Sequence, residues 1–274
     1  MSYVSGIEQI TFSDENGEIL PHAHHNVHQI FFIMSGKVTV KINEKVYKTD
    51  RPTAVFVSNF ETHSFTAENG KFSRYCISLS PTSVCQEIKS DKLASIISNR
   101  PADFIHCIDI EQIAPILSTL LCELFKEKHE KHKEFPENAS ALLRCIFVAL
   151  YRHSPSSFPF DDNGIYSTVQ AIKRDIENDL AAEKTLEELS EKFHVSRYYL
   201  AHAYKEITGY SIKNYRILCR IAEAKALLVD SSLPISKISE QIGFPDTSNF
   251  SKYFKKKEGY TPSEYRQIHK GEKQ

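Results

Sequence analysis

The stretch IGFPDTSNFSKYFKK, Ile242 to Lys256, decides how the second half of this chain folds. Gly243 takes the positive φ at which a preceding helix stops, Pro245 fixes its own φ without needing an N–H, and Asp246 is a good N-cap. A new helix therefore starts after Asp246. On a helical wheel Phe250 and Phe254 lie within about 40° of each other and Tyr253 about 60° away, whereas Ser248, Lys252 and Lys255 fall opposite, flanked by Asn249, Ser251 and Lys256. The preceding ISKISEQI offers Ile235, Ile238 and Ile242 at helical spacing as a partner stripe. Two short helices across a tight turn make a helix-turn-helix. A solvated basic face on an ordinary helical hairpin is the competing reading.

The pattern occurs twice. SRYYLAHAYKEITGYS, Ser196 to Ser211, parallels DTSNFSKYFKKKEGYT, Asp246 to Thr261: Leu200 answers Phe250, Tyr204 answers Phe254, Lys205 answers Lys255 and Gly209-Tyr210 answers Gly259-Tyr260. Upstream, LEELSEKF matches ISKISEQI in its apolar spacing and in the pairs Ser190-Glu191 and Ser239-Glu240. Such self-similarity signals a duplicated unit. Between the copies, Ile212 to Asp230 reads as one helix with Ser211 as N-cap, about 28 Å long at 1.5 Å per residue and comparable to the roughly 34 Å between successive major-groove faces of B-DNA. The charge agrees. From Lys184 to Gln274 there are sixteen Lys and Arg against eleven Asp and Glu, while the rest of the chain has eighteen against twenty-four. A near-neutral total thus conceals two regions of opposite sign.

From about Ile165 to Gln267 the chain resembles the DNA-binding domain of AraC/XylS-type transcriptional regulators. The residues that carry the resemblance are Ser196, Tyr199-Leu200, Tyr204-Lys205, Gly209, Tyr215, Arg220, Ala224, Leu227-Leu228, Ile235, Ile238, Gly243-Phe244, Asp246, Ser248, Phe250, Phe254-Lys255, Gly259, Thr261-Pro262 and Tyr265-Arg266. It implies an α+β two-domain protein whose all-α C-terminal domain, residues 165–274, carries two helix-turn-helix units, about 185–208 and 235–258, joined by a linker helix. The second helix of each unit would enter the major groove of double-stranded DNA. The matching base-facing positions are Tyr198, Ala201 and His202 in one unit and Ser248, Asn249 and Lys252 in the other. The wheel alone puts Tyr198, His202, Ser248 and Lys252 on that face. Thr247, Lys205 and Lys255 join the DNA-binding set. So does Arg197, whose wheel position makes it a phosphate contact or a packing residue. There are departures from the family pattern. Ala201 and His202 stand where a polar residue and an arginine are common, so the first unit offers no bidentate guanidinium to guanine and would rely on thymine methyls and one imidazole bond.

The composition is that of a soluble protein, 274 residues with 41% hydrophobic and 25% charged, long enough for two domains. No signal segment and no apolar run of membrane length is seen, so the cytosol is the expected compartment. The six cysteines, Cys76, Cys85, Cys107, Cys122, Cys145 and Cys219, show no C-x-x-C pairing and read as buried thiols, with redox sensing as an alternative.

Residues 1 to about 80 read as short strands, among them His28 to Met34, Lys37 to Asn43, Glu44 to Thr49 and Thr53 to Ser58, with turns at Ser35-Gly36 and Asn43-Glu44. A small antiparallel barrel follows. His22, His24, His25, His28 and His63 mark its mouth, which resembles the cupin-type sensor domain carried by many AraC-type regulators. In a continuous strand His22, His24 and His28 share a face, so with His63 they are a possible metal set. His28 and Arg51-Pro52 depart from the metal-binding cupin pattern, however, and the turn-anchored alignment places Gln29 at its Glu position. A metal-free pocket walled by His22, His24, His28, Phe31, His63 and Tyr75, or plain surface histidines, are the other readings, and no cofactor is expected.

Helical segments follow at Ile110 to Phe125 and Ala139 to His153, the second apolar nearly all round, so that one of them needs a further partner. The family commonly pairs subunits here, which implies a homodimer; packing onto the barrel's own core is the alternative. The first domain would thus run 1–153, with its helical part at about 109–153. SPSSFPFDDNG, residues 154–164, reads as a linker. Three functions stay open. The first is a DNA-binding transcription regulator controlled by a small-molecule effector. The second is one whose N-terminal domain serves only assembly or a partner protein. The third, ranked last because no carboxylate accompanies the histidines, is a metal-dependent cupin enzyme tethered to DNA. The resemblance implies a non-enzymatic activator with RNA polymerase as a further partner. The residues alone leave activation or repression, the effector and the operator open.

Overall fold

The computed structural model describes residues 7–14, 18–23, 27–68, 70–80, 84–101, 103–130, 135–160 and 164–270. The chain divides into two units, Met1–Asp162 and Asn163–Gln274.

Among the described residues of the first unit nine strands form two antiparallel sheets. The five-stranded sheet has the order β1 (Ile7–Ser13), β8 (Ser73–Leu79), β3 (His28–Ser35), β6 (Thr53–Val57), β9 (Cys107–Asp109). The four-stranded sheet has the order β2 (Ile19–His22), β7 (His63–Ala67), β4 (Val38–Ile42), β5 (Lys45–Thr49). The pleat decides which side chains meet. Val38, Val40 and Ile42 of β4 are buried, with Thr39 half-buried and Lys41 exposed between them. Strand β6 is buried along its whole length because both its faces are covered. Val55 and Val57 meet Phe31, Ile33, Phe65 and Phe72 between the sheets. Ala54 and Phe56 join Ile30, Phe32, Ile77 and Leu79 in a second core on the opposite face. Helices α1 (Val84–Ile88), α2 (Asp91–Ser98), α3 (Ala114–Glu130) and α4 (Phe135–His153) cover that face.

Helix α3 extends past the predicted Phe125 and opens with a 3-10 turn at Glu111–Ile113. Helix α4 begins four residues before the predicted Ala139, with Pro136 in its first turn, where a missing N–H costs nothing. The apolar circumference of α4 is met by α1, α2 and α3. The segment 154–164 is not free chain along its first half. Phe158 is buried in the same core as α4, and Asn99 Nδ2 donates to the Pro159 carbonyl at 2.8 Å. Among the described residues no helix is long and apolar enough to cross a membrane.

The second unit is helical: α5 (Gly164–Asn178), α6 (Leu186–Lys192), α7 (Arg197–Thr208), α8 (Ile212–Asp230), α9 (Ile235–Gln241), α10 (Thr247–Glu258) and α11 (Pro262–Lys270). Local chemistry sets each start. Thr185 and Glu188 form a capping box on α6, and Ser196, Ser211 and Asp246 cap α7, α8 and α10 through their side-chain oxygens. Helices α7 and α10 end alike, at Gly209 with φ 78° and Gly259 with φ 81°. Phe250 and Phe254 pack on Ile221, Ala224 and Leu228 of α8 and on Ile238 and Ile242. In the other half Leu200 and Tyr204 are fully buried, Tyr204 lying edge-on to Tyr215. Arg220, on α8, is buried and bonds the carbonyl of Leu180 at 2.8 Å and Glu183 at 3.1 Å, with Phe244 under its guanidinium. It thereby ties the chain entering the first helix pair to the turn of the second.

Candidate nucleic-acid interface and effector site

Both second helices bury one stripe and expose the other. On α7, Tyr198 is 83% exposed and lies over His202, ring centroids 6.3 Å apart and nearly parallel, with Lys205 a turn further on. His202 Nδ1 also lies 3.5 Å from Glu206. Ala201 is half-buried, and Tyr199, which could have packed inward, is half-exposed. Arg197 is exposed, and its guanidinium is engaged by the Glu187 carboxylate of α6. On α10, Ser248, Asn249, Lys252 and Lys255 are exposed and Thr247 is half-buried. Asn249 is not a free amide: its Nδ2 donates to Asp246 Oδ2 at 2.6 Å, while its backbone N–H donates to Oδ1 at 2.7 Å. The N-cap thus holds the side chain along the helix start, and a base edge would have to compete with Asp246 for it.

In the first unit the described residues of the proposed histidine pocket are divided between two sheets. His22 and His63 come together, paired across β2 and β7 with ring centroids 4.3 Å apart, and Phe31 lies 5.7 Å from His63. His28 does not join them. His22 ends a strand of one sheet and His28 begins a strand of the other, so no continuous pleat puts them on a common face. On β3, His28 alternates with Phe31 and bonds Ser58 Oγ and the Asn59 N–H through Nδ1, both at 3.1 Å. Tyr75 points to the helix-covered side, against Phe12 at 4.8 Å, and so leaves the wall of the inner face. His24 and His25 lie outside the described residues. Among the described residues no three His, Cys, Asp or Glu converge as a metal site. Gln29 shares the inner face of β3 with Phe31. Its Oε1 is buried without a partner among the described residues, while its Nε2 reaches Ser78 at 3.5 Å.

A carboxylate does lie near the histidines. Glu61 is buried in the turn before β7, where its Oε1 meets Arg100 Nε at 3.0 Å and His106 Nε2 at 3.1 Å, and its Oε2 accepts from the Ser58 N–H at 2.6 Å. His106 Nδ1 in turn meets Tyr47 Oη at 2.9 Å, and the Glu61 carbonyl lies 3.1 Å from His63 Nδ1. Burial alone would raise the Glu61 carboxyl, but Arg100, His106 and the Ser58 N–H hold it down at about 2. Because the folded value is depressed, this tie is complete above the ordinary 4.5 and is lost only as pH falls from there toward 2. Glu61 is therefore an ionised anchor for the turn and not a proton donor near neutral pH. Its partners lie 39 and 45 residues away in sequence, which no local pattern signals. Cys76, Cys107, Cys122, Cys145 and Cys219 are free thiols. Burial pushes Cys76, Cys107 and Cys219 up to about 12, which removes their thiolate reactivity.

A β-sheet unit with an aromatic and histidine-lined inner end, followed by two helix pairs on one shared helix, defines a two-domain regulator of DNA. The comparisons agree. The family model described as the AraC-like ligand binding domain matches residues 8–189, and the Helix-turn-helix domain matches residues 189–268. The chain belongs to the AraC family: it is an AraC-type transcriptional regulator with an N-terminal ligand-binding domain. It is 30% identical over 122 residues to the Msm operon regulatory protein of Streptococcus mutans, a match that spans 44% of each chain. It is 23% identical over 255 residues to the HTH-type transcriptional activator RhaR of Salmonella dublin, covering 89% of this chain and 86% of that one. The fold is also that of ToxT from Vibrio cholerae, solved with an unsaturated fatty acid bound. There the TM-score is 0.57 at 15% identity, covering 96% of this chain and 95% of ToxT.

Proposed function

We propose that the chain reads an asymmetric DNA site with α7 and α10 as a transcriptional activator under the control of a small molecule held between the two sheets. The observation that carries the reading is the division of burial on the two helices. Leu200, Tyr204, Phe250 and Phe254 are fully buried, while Tyr198, His202, Lys205, Ser248, Lys252 and Lys255 on the far sides face solvent. A merely solvated face has no need of two copies on one connecting helix. Ser248, Asn249 and Lys252 take the base edges in the second unit. Tyr198, Ala201 and His202 do so in the first, with Thr247, Lys205 and Lys255 toward the phosphates. Arg197, engaged by Glu187, serves as a brace between α6 and α7.

In the first unit His22, Phe31 and His63 wall the effector site, and the orphan Gln29 Oε1 asks for a ligand that donates a hydrogen bond. The site is a binding pocket and not a catalytic centre, because its nearby carboxylate is locked as an anion by Arg100. Two copies of the chain and contact with RNA polymerase complete the reading, in the cytosol.

In vitro selection from random duplexes, followed by footprinting of the full chain, tests the DNA half. The expected footprint covers two successive major-groove segments per subunit; equal affinity for selected and scrambled duplexes rejects it. A thermal-shift screen that includes fatty acids tests the effector half, because a ligand of the folded state alone raises its apparent stability. The stabilising ligand should lose its effect on a Gln29→Ala variant.

A further inference from the structure

A cavity of about 370 Å³ opens in the first helix-turn-helix unit, among the start of α6, the middle of α7 and the first turn of α8. Lys184, Leu186, Ala201, Ile212, Lys213 and Arg216 border it. Its charges are unequally committed. Glu183, the carboxylate on its border, is engaged by Arg220 at 3.1 Å, and Lys184 by Asp175 at 2.5 Å. Arg216 spends Nη2 on the Lys184 carbonyl at 3.1 Å, and its buried Nε has no partner among the described residues. Lys213 is exposed, and among the described residues no carboxylate lies within ion-pair distance of Lys213 or Arg216. Lys213 and the Nε edge of Arg216, neither held by a carboxylate, thus stand beside three apolar walls.

We propose that this cavity receives one sugar–phosphate unit of the DNA strand bordering the groove that α7 enters. The phosphate meets Lys213 and Arg216, and the deoxyribose lies on Leu186 and Ile212. The proposal rests on the DNA-reading role given above to α7. Ala201 joins the two: it borders the cavity and sits three residues from Tyr198 and four from Lys205, on the same helix face. A bare anion has no use for apolar walls, whereas a deoxyribose does. The first unit also needs such an anchor. Its α7 offers only Lys205 as a free cation on the exposed side, since Arg197 is held by Glu187, while α10 carries Lys252, Lys255, Lys256 and Lys257.

The test uses the full chain, its selected duplex and a scrambled one, with Lys213→Ala and Lys213→Arg. Lys213 is exposed on the first turn of α8, so the fold tolerates both changes. Lys213→Ala should bind both duplexes roughly fivefold more weakly at about 0.15 M salt and lower the slope of log affinity against log salt by about one, with Lys213→Arg restoring both. A methylphosphonate scan should find one phosphate beside the α7 half-site whose neutralisation weakens the parent and leaves Lys213→Ala no weaker than before. Parent-like affinity and slope in Lys213→Ala, or an equal loss for both proteins at every neutralised phosphate, overturns the proposal. A parent that does not prefer its selected duplex overturns the DNA-reading role beneath it.

Discussion

His194 and Gly243 occupy the same place in the two helix-turn-helix units, the first residue after the C-cap of α6 and of α9, and both have positive φ, 54° and 80°. The backbone around them is the same. His194 and Gly243 donate to the carbonyls of Glu191 and Glu240 at 3.2 and 3.0 Å, and the next residues, Val195 and Phe244, donate to Ser190 and Ser239, both at 3.0 Å. The surroundings differ. His194 is exposed, whereas a Cβ on Gly243 would stand 2.5 Å from Ala181 Cα, 3.0 Å from the Leu180 carbonyl and 2.9 Å from Arg220 Nη2. One turn geometry thus admits a side chain where it faces water and forbids it where a second backbone closes over it. The duplicated motif has become an outer copy and a copy wedged against the chain that enters the domain.

The largest effect comes from breaking the wedged turn. Gly243→Ala adds left-handed strain of about 1–2 kcal/mol and an overpacking cost of about 1–3 kcal/mol against backbone that has nowhere to go. The expected loss is about 2–4 kcal/mol in the denaturant unfolding of the second unit. An unchanged midpoint would show that the loop at Leu180 and Ala181 moves aside freely.

Gly243 was legible because glycine before Phe-Pro-Asp advertises a turn. His194 was not, since nothing in KFHVS marks a left-handed residue. The same contrast runs through the first unit. Strands β3 to β6 were readable from apolar runs and alternation, whereas the two-domain α+β plan rested on the family resemblance and on a length sufficient for two domains. Helix α1 and strand β9 are too short to declare themselves, and Cys107–Asp109 is a strand only because β6 lies beside it. No single pleat runs from His22 to His28 because the two lie on strands of different sheets, and the tie of Glu61 to Arg100 and His106 joins residues that only the fold brings together. What the sequence showed well was periodic; what it hid depended on contacts between distant residues.

The next effect sharpens the comparison on DNA. Lys252 on α10 is exposed with no carboxylate holding it among the described residues, whereas His202 on α7 lies under Tyr198 and beside Glu206. A side chain bonded to a base edge discriminates by about 1–3 kcal/mol. Lys252→Ala should therefore flatten the preference at particular base pairs of the selected site, by roughly tenfold or more. His202→Ala should cost less, because its ring already has partners within the protein. Lys255→Ala should lower selected and scrambled binding together and reduce the salt slope by about one. Competition binding against a panel of single-base variants separates the three outcomes. A larger loss of discrimination in His202→Ala would reverse the ranking of the two reading helices.

The smallest effect tests whether the outer turn keeps any strain at all. Replacing His194 by glycine relieves a left-handed conformation that costs an L-residue about 1–2 kcal/mol, but it also loosens the unfolded chain, and that entropy opposes folding by about 0.4–1 kcal/mol. Histidine is among the residues that tolerate this region best, so the relief sits at the low end of its range. The two terms nearly cancel, and His194→Gly should raise stability by a few tenths of a kcal/mol, at most about 1. Differential scanning calorimetry of the parent and the variant resolves such a change when the two are scanned side by side. A clear loss of stability would mean that the imidazole makes a contact the turn depends on. The outer copy would then be held by its side chain, as the inner copy is held by lacking one.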